Sequence, residues 1–155
     1  MSDSSTVRCG VVAVIRRADQ LLVIRRSQHV VAPGAHCFPG GGIEAGESME
    51  VALVRELQEE LNVDIVPVRQ IWRSVTPWRV ELFWWLARLA PEASPRPAPA
   101  EVESFRWCTV EELAGLGDLL ESNRQFLAAL ARNEIDLEEE PGPFPSLSNK
   151  SIFKD

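Results

Sequence analysis

Gly41-Gly42-Ile43-Glu44-Ala45-Gly46-Glu47-Ser48-Met49-Glu50-Val51-Ala52-Leu53-Val54-Arg55-Glu56-Leu57-Gln58-Glu59-Glu60-Leu61-Asn62-Val63 is the stretch on which the reading of this chain turns. It opens on backbone-permissive glycines and passes into a helix pattern. Ser48 is a helix N-cap residue, and Leu53, Leu57 and Leu61, with Val54 beside them, recur at helical spacing. The helix therefore has one buried stripe and ends at about Leu61. Asn62 follows where a left-handed residue often terminates a helix. Glu56, Glu59 and Glu60 fall within a narrow arc of that helix, because spacings of three and four share a face. Carboxylates crowded in this way repel one another, and a bound divalent cation reverses the sign, since magnesium takes hard oxygen ligands. The leucine stripe lies next to the arc, which holds the carboxylates at the edge of the core.

A solvated acidic face would be the better reading of an isolated Glu-x-x-Glu-Glu. The residues upstream change the balance. Gly41 is followed after five residues by Glu47, and Glu47 after seven by Arg55-Glu56. A glycine turn feeding directly into a carboxylate helix lets backbone carbonyls and side chains converge on one ion. The glycines alone are weak evidence: they lack the Gly-Lys-Ser/Thr ending of a P-loop and the spacing of a dinucleotide-binding fingerprint.

Working outward, Val7 to Ile15 and Gln20 to Arg26 read as strands joined by a turn over residues 16–19. Residues 27–37 read as a loop. Beyond the helix, Val63 to Val75 and Trp78 to Leu89 are strand-like and are separated by Thr76-Pro77. Residues 91–100 form a Pro/Ala-rich loop, and Val102 to Cys108 is a last strand. Thr109-Val110-Glu111-Glu112 matches a capping box. An amphipathic helix is predicted from Leu119 to Arg132, with Leu119, Leu120, Phe126, Leu127 and Leu130 as its buried residues. Residues 1–6 and the acidic, then Pro/Ser-rich tail 134–155 are predicted to be poorly ordered, which leaves 7–133 as a single α/β domain.

The 155 residues carry a formal net charge of −7, which argues against a stable nucleic-acid partner, because backbone binding needs a basic face. A polyanionic small substrate remains compatible if a metal neutralises it locally. Cys9, Cys37 and Cys108 are sparse and unpaired in spacing; they read as small buried groups and point to a reducing, cytoplasmic setting. The first residues lack a signal pattern, and no apolar run approaches the roughly 20 residues needed to cross a bilayer. A soluble protein with no membrane partner is expected. His36 and Cys37 lack the further ligands of a zinc site, so His36 and His29 read as loop residues.

Gly41 through Val63 resembles the Nudix box: glycine, five residues, Glu, seven residues, then Arg-Glu-apolar-x-Glu-Glu-x-Gly-apolar. Every specified position matches except the second glycine, which is Asn62 here, and Asn is the commonest substitute where a left-handed backbone is required. The order of strands and loops around the box is similar to the family over most of 7–132. The resemblance implies a Nudix-like α/β/α sandwich with a mixed β-sheet and a central catalytic helix. It implies an Mg2+-dependent pyrophosphohydrolase, with Mn2+ as a substitute, that cleaves the diphosphate linkage of a nucleoside diphosphate joined to another moiety. Nucleoside triphosphates and nucleotide sugars such as ADP-ribose both satisfy that description.

By the same resemblance Glu56, Glu59 and Glu60 ligate the metal, with the Gly40 carbonyl as a further ligand. Arg55 orients the glutamates, and Glu47 pairs with the helix or serves a second metal. The general base is Glu56, or else Glu101 or Glu103 from the late loop and strand. One of Arg25 and Arg26 should face the site and contact phosphate. Trp72, Trp78, Trp84, Trp85 and Phe38 are candidates for stacking on a base, with Trp78 foremost. The absence of tyrosine tells against one dinucleoside polyphosphate marker. Pro143-Phe144-Pro145-Ser146 echoes an NADH-cleaving marker too late in the chain, and Pro77 lies near an ADP-ribose marker. A catalytically silent Nudix domain acting as a nucleotide sensor, and an acidic helix used as a partner-binding face, are the alternative functions. A homodimer is expected by analogy of fold only.

Overall fold

Strand β1 (Arg8–Arg17) is the spine of the molecule, and its run Val11-Val12-Ala13-Val14-Ile15 is buried on both faces. A strand apolar at every position has to lie between two layers, and this one does. The computed structural model describes residues 8–138. In chain order the elements are β1, β2 (Gln20–Arg26), β3 (His36–Cys37), β4 (Gly40–Gly42), α1 (Met49–Leu61), β5 (Ile65–Val75), β6 (Val80–Leu89), β7 (Val102–Cys108), α2 (Val110–Ala114) and α3 (Glu121–Ala131). The sheet runs β3-β2-β1-β6-β5, with β4 also pairing to β1 and β7 to β2. The β1·β6 pair is parallel and the other strand pairs are antiparallel. The sheet is mixed.

Alternate residues of β1 feed the two layers. Val11, Ala13 and Ile15 pack with Leu22 and Ile24 against Ala52, Leu53, Leu57 and Leu61 of α1. Val12 and Val14 pack with Leu21, Val23, Trp84 and Leu86 against Leu113 of α2 and Phe126, Leu127 and Ala129 of α3. The result is an α/β/α sandwich. The second layer is aromatic: the Trp84 and Phe126 rings stack with centroids 4.8 Å apart, and Phe38 and Trp72 pack on them edgewise or tilted.

Several expected boundaries move. The stretch read as a loop contains β3, and the glycines Gly40–Gly42 form a strand on β1, because long-range pairing overrides the low strand preference of glycine. Trp78 lies in a turn and not in β6: Thr76 N–H donates to the Val80 carbonyl at 2.9 Å, and Arg79 adopts a left-handed φ of 64°. Leu119 and Leu120 precede α3, and the segment pairs with β3 through His36. At the start of the tail read as poorly ordered, Ile135 is buried in the aromatic layer, Leu137 packs against it, and Arg69 donates to the carbonyls of Asp136 and Glu138. Residues 1–7 and 139–155, including the Pro143 stretch, lie outside the described residues. Among the described residues no helix is long and apolar enough to cross a membrane.

Candidate functional site

Helix α1 brings the site together. Ser48 Oγ accepts the Val51 amide at its start, and Asn62 closes it in the left-handed conformation at φ 56°. Between these caps the buried leucines fix the rotation of the helix, so Glu56 and Glu60 face inward along its edge and Glu59 faces out. Glu60 is 6% exposed, whereas the Glu59 side chain is 47% exposed.

Arg55 organises the first turn of the site. Its Nε and Nη2 donate to Glu47 at 2.6 and 2.9 Å, a two-point clamp that matches the planar fork to a carboxylate. Its Nη1 donates to Glu56 at 2.9 Å and Glu59 at 3.2 Å, and Nη2 also reaches the Gly42 carbonyl at 2.9 Å. Those hydrogen bonds hold the Glu47 carboxyl down at about 2, with the Glu44 amide adding to the effect. In turn Glu47, then Glu56 and Glu59, keep the guanidinium charged. Glu47 is thus the counter-charge of Arg55.

The convergence point lies deeper. Carboxylate oxygens of Glu56, Glu60 and Glu101 come within 4.8 Å of one another. Burial, followed by the nearby Glu56 charge, pushes Glu60 up to about 8 despite a 3.0 Å hydrogen bond from the Gly40 amide. Burial also raises Glu56, opposed by the hydrogen bond from Arg55. Glycine is required at position 40 of the facing wall, and at position 41 it leaves room for the Glu56 carboxylate where it lies. A Cβ on Gly41 would stand 2.4 Å from the Glu56 carboxylate, and one on Gly40 would stand 2.1 Å from the Val11 carbonyl. Buried carboxylates this close need a proton or a cation among them, and an all-oxygen set suits magnesium or manganese. The residues fit a divalent ion.

An open cavity of about 780 Å³ is walled by Gly40 and Gly41 and by Arg26, Phe38, Leu82 and Asn123 among others. Of the pair, Arg26 lines this cavity and Arg25 does not; the Arg26 Nε donates to the Val31 carbonyl at 2.6 Å. Arg25 turns to the Gly34 carbonyl and lies 3.9 Å from Glu103. A register shift between Arg25 and Arg26 leaves Glu103 unpaired on β7, exposed and outside the carboxylate cluster. Trp72, Trp84 and Phe38 are committed to the aromatic layer, and Trp85 packs on the α1 side. Trp78 is 77% exposed at the β5–β6 turn, two residues before Val80 on the cavity wall. Cys37 lines the cavity, with burial pushing its thiol up to about 11, in keeping with a small inert group. His36 is buried and pairs with Asp118 at 2.7 Å.

The sequence favours Glu56 over Glu101 as the base and carries no signal for Ser27, whose hydroxyl donates to the Ala100 carbonyl at 3.0 Å next to Glu101. A Pro/Ala-rich loop carries no sign of where its last residue will land. Ser27 is merely the residue after a strand.

A carboxylate-edged helix on a mixed sheet, fed by a glycine strand, is an arrangement that could hold a divalent cation. The NUDIX domain model matches residues 6–130. The chain belongs to the Nudix hydrolase family. The NAD-capped RNA hydrolase NudC of Stutzerimonas stutzeri is 31% identical over 107 residues, covering 69% of this chain and 38% of that protein. A Nudix hydrolase of Deinococcus radiodurans is 33% identical over 125 residues, covering 73% of this chain and 69% of that protein. The chain spans about two fifths of the length of the NudC relatives it matches. Among solved structures, the MutT protein from Methanosarcina mazei Go1 superposes with a TM-score of 0.67 at 23% identity, over 81% of this chain and 94% of that one.

Proposed function

We propose that the chain is a magnesium-dependent pyrophosphohydrolase that cleaves the diphosphate linkage of a nucleoside diphosphate joined to another group, either a nucleoside triphosphate or a nucleotide sugar such as ADP-ribose. The observation that carries this reading is the convergence of Glu56, Glu60 and Glu101 around one point, with an open cavity bordered by Gly40 and Gly41 next to it. Glu56, Glu60 and Glu101 would hold the cation, with Glu59 at the exposed rim and the Gly40 carbonyl as further ligands. When bound, the cation would polarise phosphoryl oxygens, offset charge on the leaving group and lower the pKa of attacking water.

The chain's own groups divide the remaining work. Arg55, neutralised by Glu47, fixes the rotamers of Glu56 and Glu59. Glu56 accepts a proton from water, and its burial moves it towards the range where a carboxylate is a useful base. Glu101 is the second candidate for that role. Arg26 binds phosphate, the apolar wall around Leu82 shields a base or sugar, and Trp78 stacks at the rim. The NudC relatives are named for NAD-capped RNA, and NAD also carries a nucleoside diphosphate linked to a second group. The net charge of −7 favours a free nucleotide over an RNA chain here.

The test is turnover of a panel of nucleoside triphosphates, nucleotide sugars and dinucleotides with Mg2+ or Mn2+, scored by product identity in 18O-labelled water. A nucleoside monophosphate should appear for at least one class. Glu56→Gln and Glu60→Gln should each lower turnover on the order of a thousandfold with the fold retained. Absence of any turnover across the panel would sink the proposal.

A further inference from the structure

The loop that carries Glu101 is stapled at both ends by side chains outside the carboxylate set. Between Pro95 and Pro99 prolines alternate, so only Arg96 and Ala98 offer backbone N–H groups. Both are spent on the open end of α1: Arg96 N–H donates to the Leu61 carbonyl at 2.8 Å, and Ala98 N–H to the Glu60 carbonyl at 2.9 Å. A helix leaves its last carbonyls without partners, and this loop supplies them. Asn62 then adds a side-chain contact: its Nδ2 donates to the Arg96 carbonyl at 2.6 Å. At the far end Ser27, 3% exposed, donates its hydroxyl to the Ala100 carbonyl at 3.0 Å and its amide to the Glu101 carbonyl at 3.1 Å.

Glycine is the residue the Nudix box specifies where Asn62 stands. Glycine would satisfy the left-handed backbone equally well and without strain. It has no side chain, so it cannot hold Arg96. We propose that Asn62 and Ser27 are positioning residues that clamp the loop 96–101 and thereby keep the Glu101 carboxylate against Glu56 and Glu60. This rests on the functional reading above and adds to it: the departure at position 62 makes the third carboxylate's placement depend on a side chain that the box does not supply.

The test pairs a metal-free measurement with a binding measurement. Asn62→Gly keeps the left-handed turn and removes only the amide. In EDTA, hydrogen exchange at the Ala98 and Glu101 amides should quicken about fivefold, the worth of one net hydrogen bond. Mn2+ titration followed by electron paramagnetic resonance should show a similar, about fivefold, rise in dissociation constant. In a Glu101→Gln background the same substitution should leave Mn2+ affinity within about twofold, because the carboxylate it positions is gone. Ser27→Ala should repeat the pattern from the other end. An Asn62→Gly protein with unchanged exchange, or an affinity loss equal in both backgrounds, would overturn the clamp. Failure of the wild type to bind Mn2+ at all would instead overturn the functional reading, and with it the role given to Glu101.

Discussion

At the scale of single residues, the site is a balance between one arginine and too many carboxylates. Arg55 reaches Glu47, Glu56 and Glu59 but is not among the groups acting on Glu60, whose ionisation is opposed first by burial and then by Glu56. A carboxyl whose folded pKa is raised above its unfolded value contributes stability that is complete below the unfolded pKa, and that is lost as pH rises through the folded one. For Glu60 the window runs from 4.5 to about 8. In EDTA the thermal midpoint should therefore fall as pH rises across that window. Glu60→Gln, which cannot ionise, should flatten the fall, and Mg2+ should restore the wild-type midpoint at pH 8. Thermal unfolding at closely spaced pH values checks it. Parallel curves for wild type and Glu60→Gln would mean that Glu60 is ionised and solvated in the folded chain.

At the scale of elements, α1 is the part of the molecule most plainly written in the sequence. Its apolar period, Ser48 at one end and Asn62 at the other are local signals, and all three are met. The face on which Glu56 and Glu60 fall follows from the same period, because burying Leu53, Leu57 and Leu61 fixes the rotation. Strand β4 was not legible. Three glycines carry no strand preference, and their pairing with Gly10, Val11 and Val12 is decided by distant chain. Glu101 was legible only as a residue type, since its placement depends on Pro-spaced amides meeting helix carbonyls. The local nature of the caps makes a separable prediction. Ser48→Ala removes the acceptor for the Val51 amide at 3.1 Å and should cost about 1 kcal/mol, read by chemical denaturation. Turnover should hold, because Glu56 and Glu60 lie beyond the first turn and are anchored by Leu57 and Leu61. A large activity loss without a matching stability loss would show that the cap tunes the site directly.

At the scale of the whole molecule, the two layers divide labour across the sheet. The α1 layer carries the carboxylates on its edge, whereas the opposite layer is a stack of rings around Phe126 with no carboxylate buried in it among the described residues. Composition alone hides how far this second layer extends. Glu134 to Glu138 reads as an acidic flank, yet the alternation of Ile135 and Leu137 puts two apolar side chains on one face, and both join the aromatic layer. Arg16 donates to the Leu137 carbonyl at 2.9 Å, and Arg69 to Asp136 and Glu138 at 2.9 and 2.7 Å, so cations from β1 and β5 hold the segment by its backbone. Arg16 is exposed and Arg69 only partly buried, so each contributes little; the buried Ile135 is the larger effect. Ile135→Ala should cost about 2 kcal/mol, at the low end for a buried isoleucine because a chain-end segment can partly collapse into the gap. That corresponds to a fall in thermal midpoint of roughly 8 °C. Turnover at 25 °C and Mn2+ affinity should not change, since the carboxylates lie on the other side of β1. Chains ending at Asn133 and at Glu138 should differ in midpoint by at least as much, for the longer one keeps Ile135 and its anchors. Equal midpoints for these two chains would show that the segment contributes nothing to the layer, and a parallel loss of Mn2+ binding would show that the two faces are coupled through the sheet.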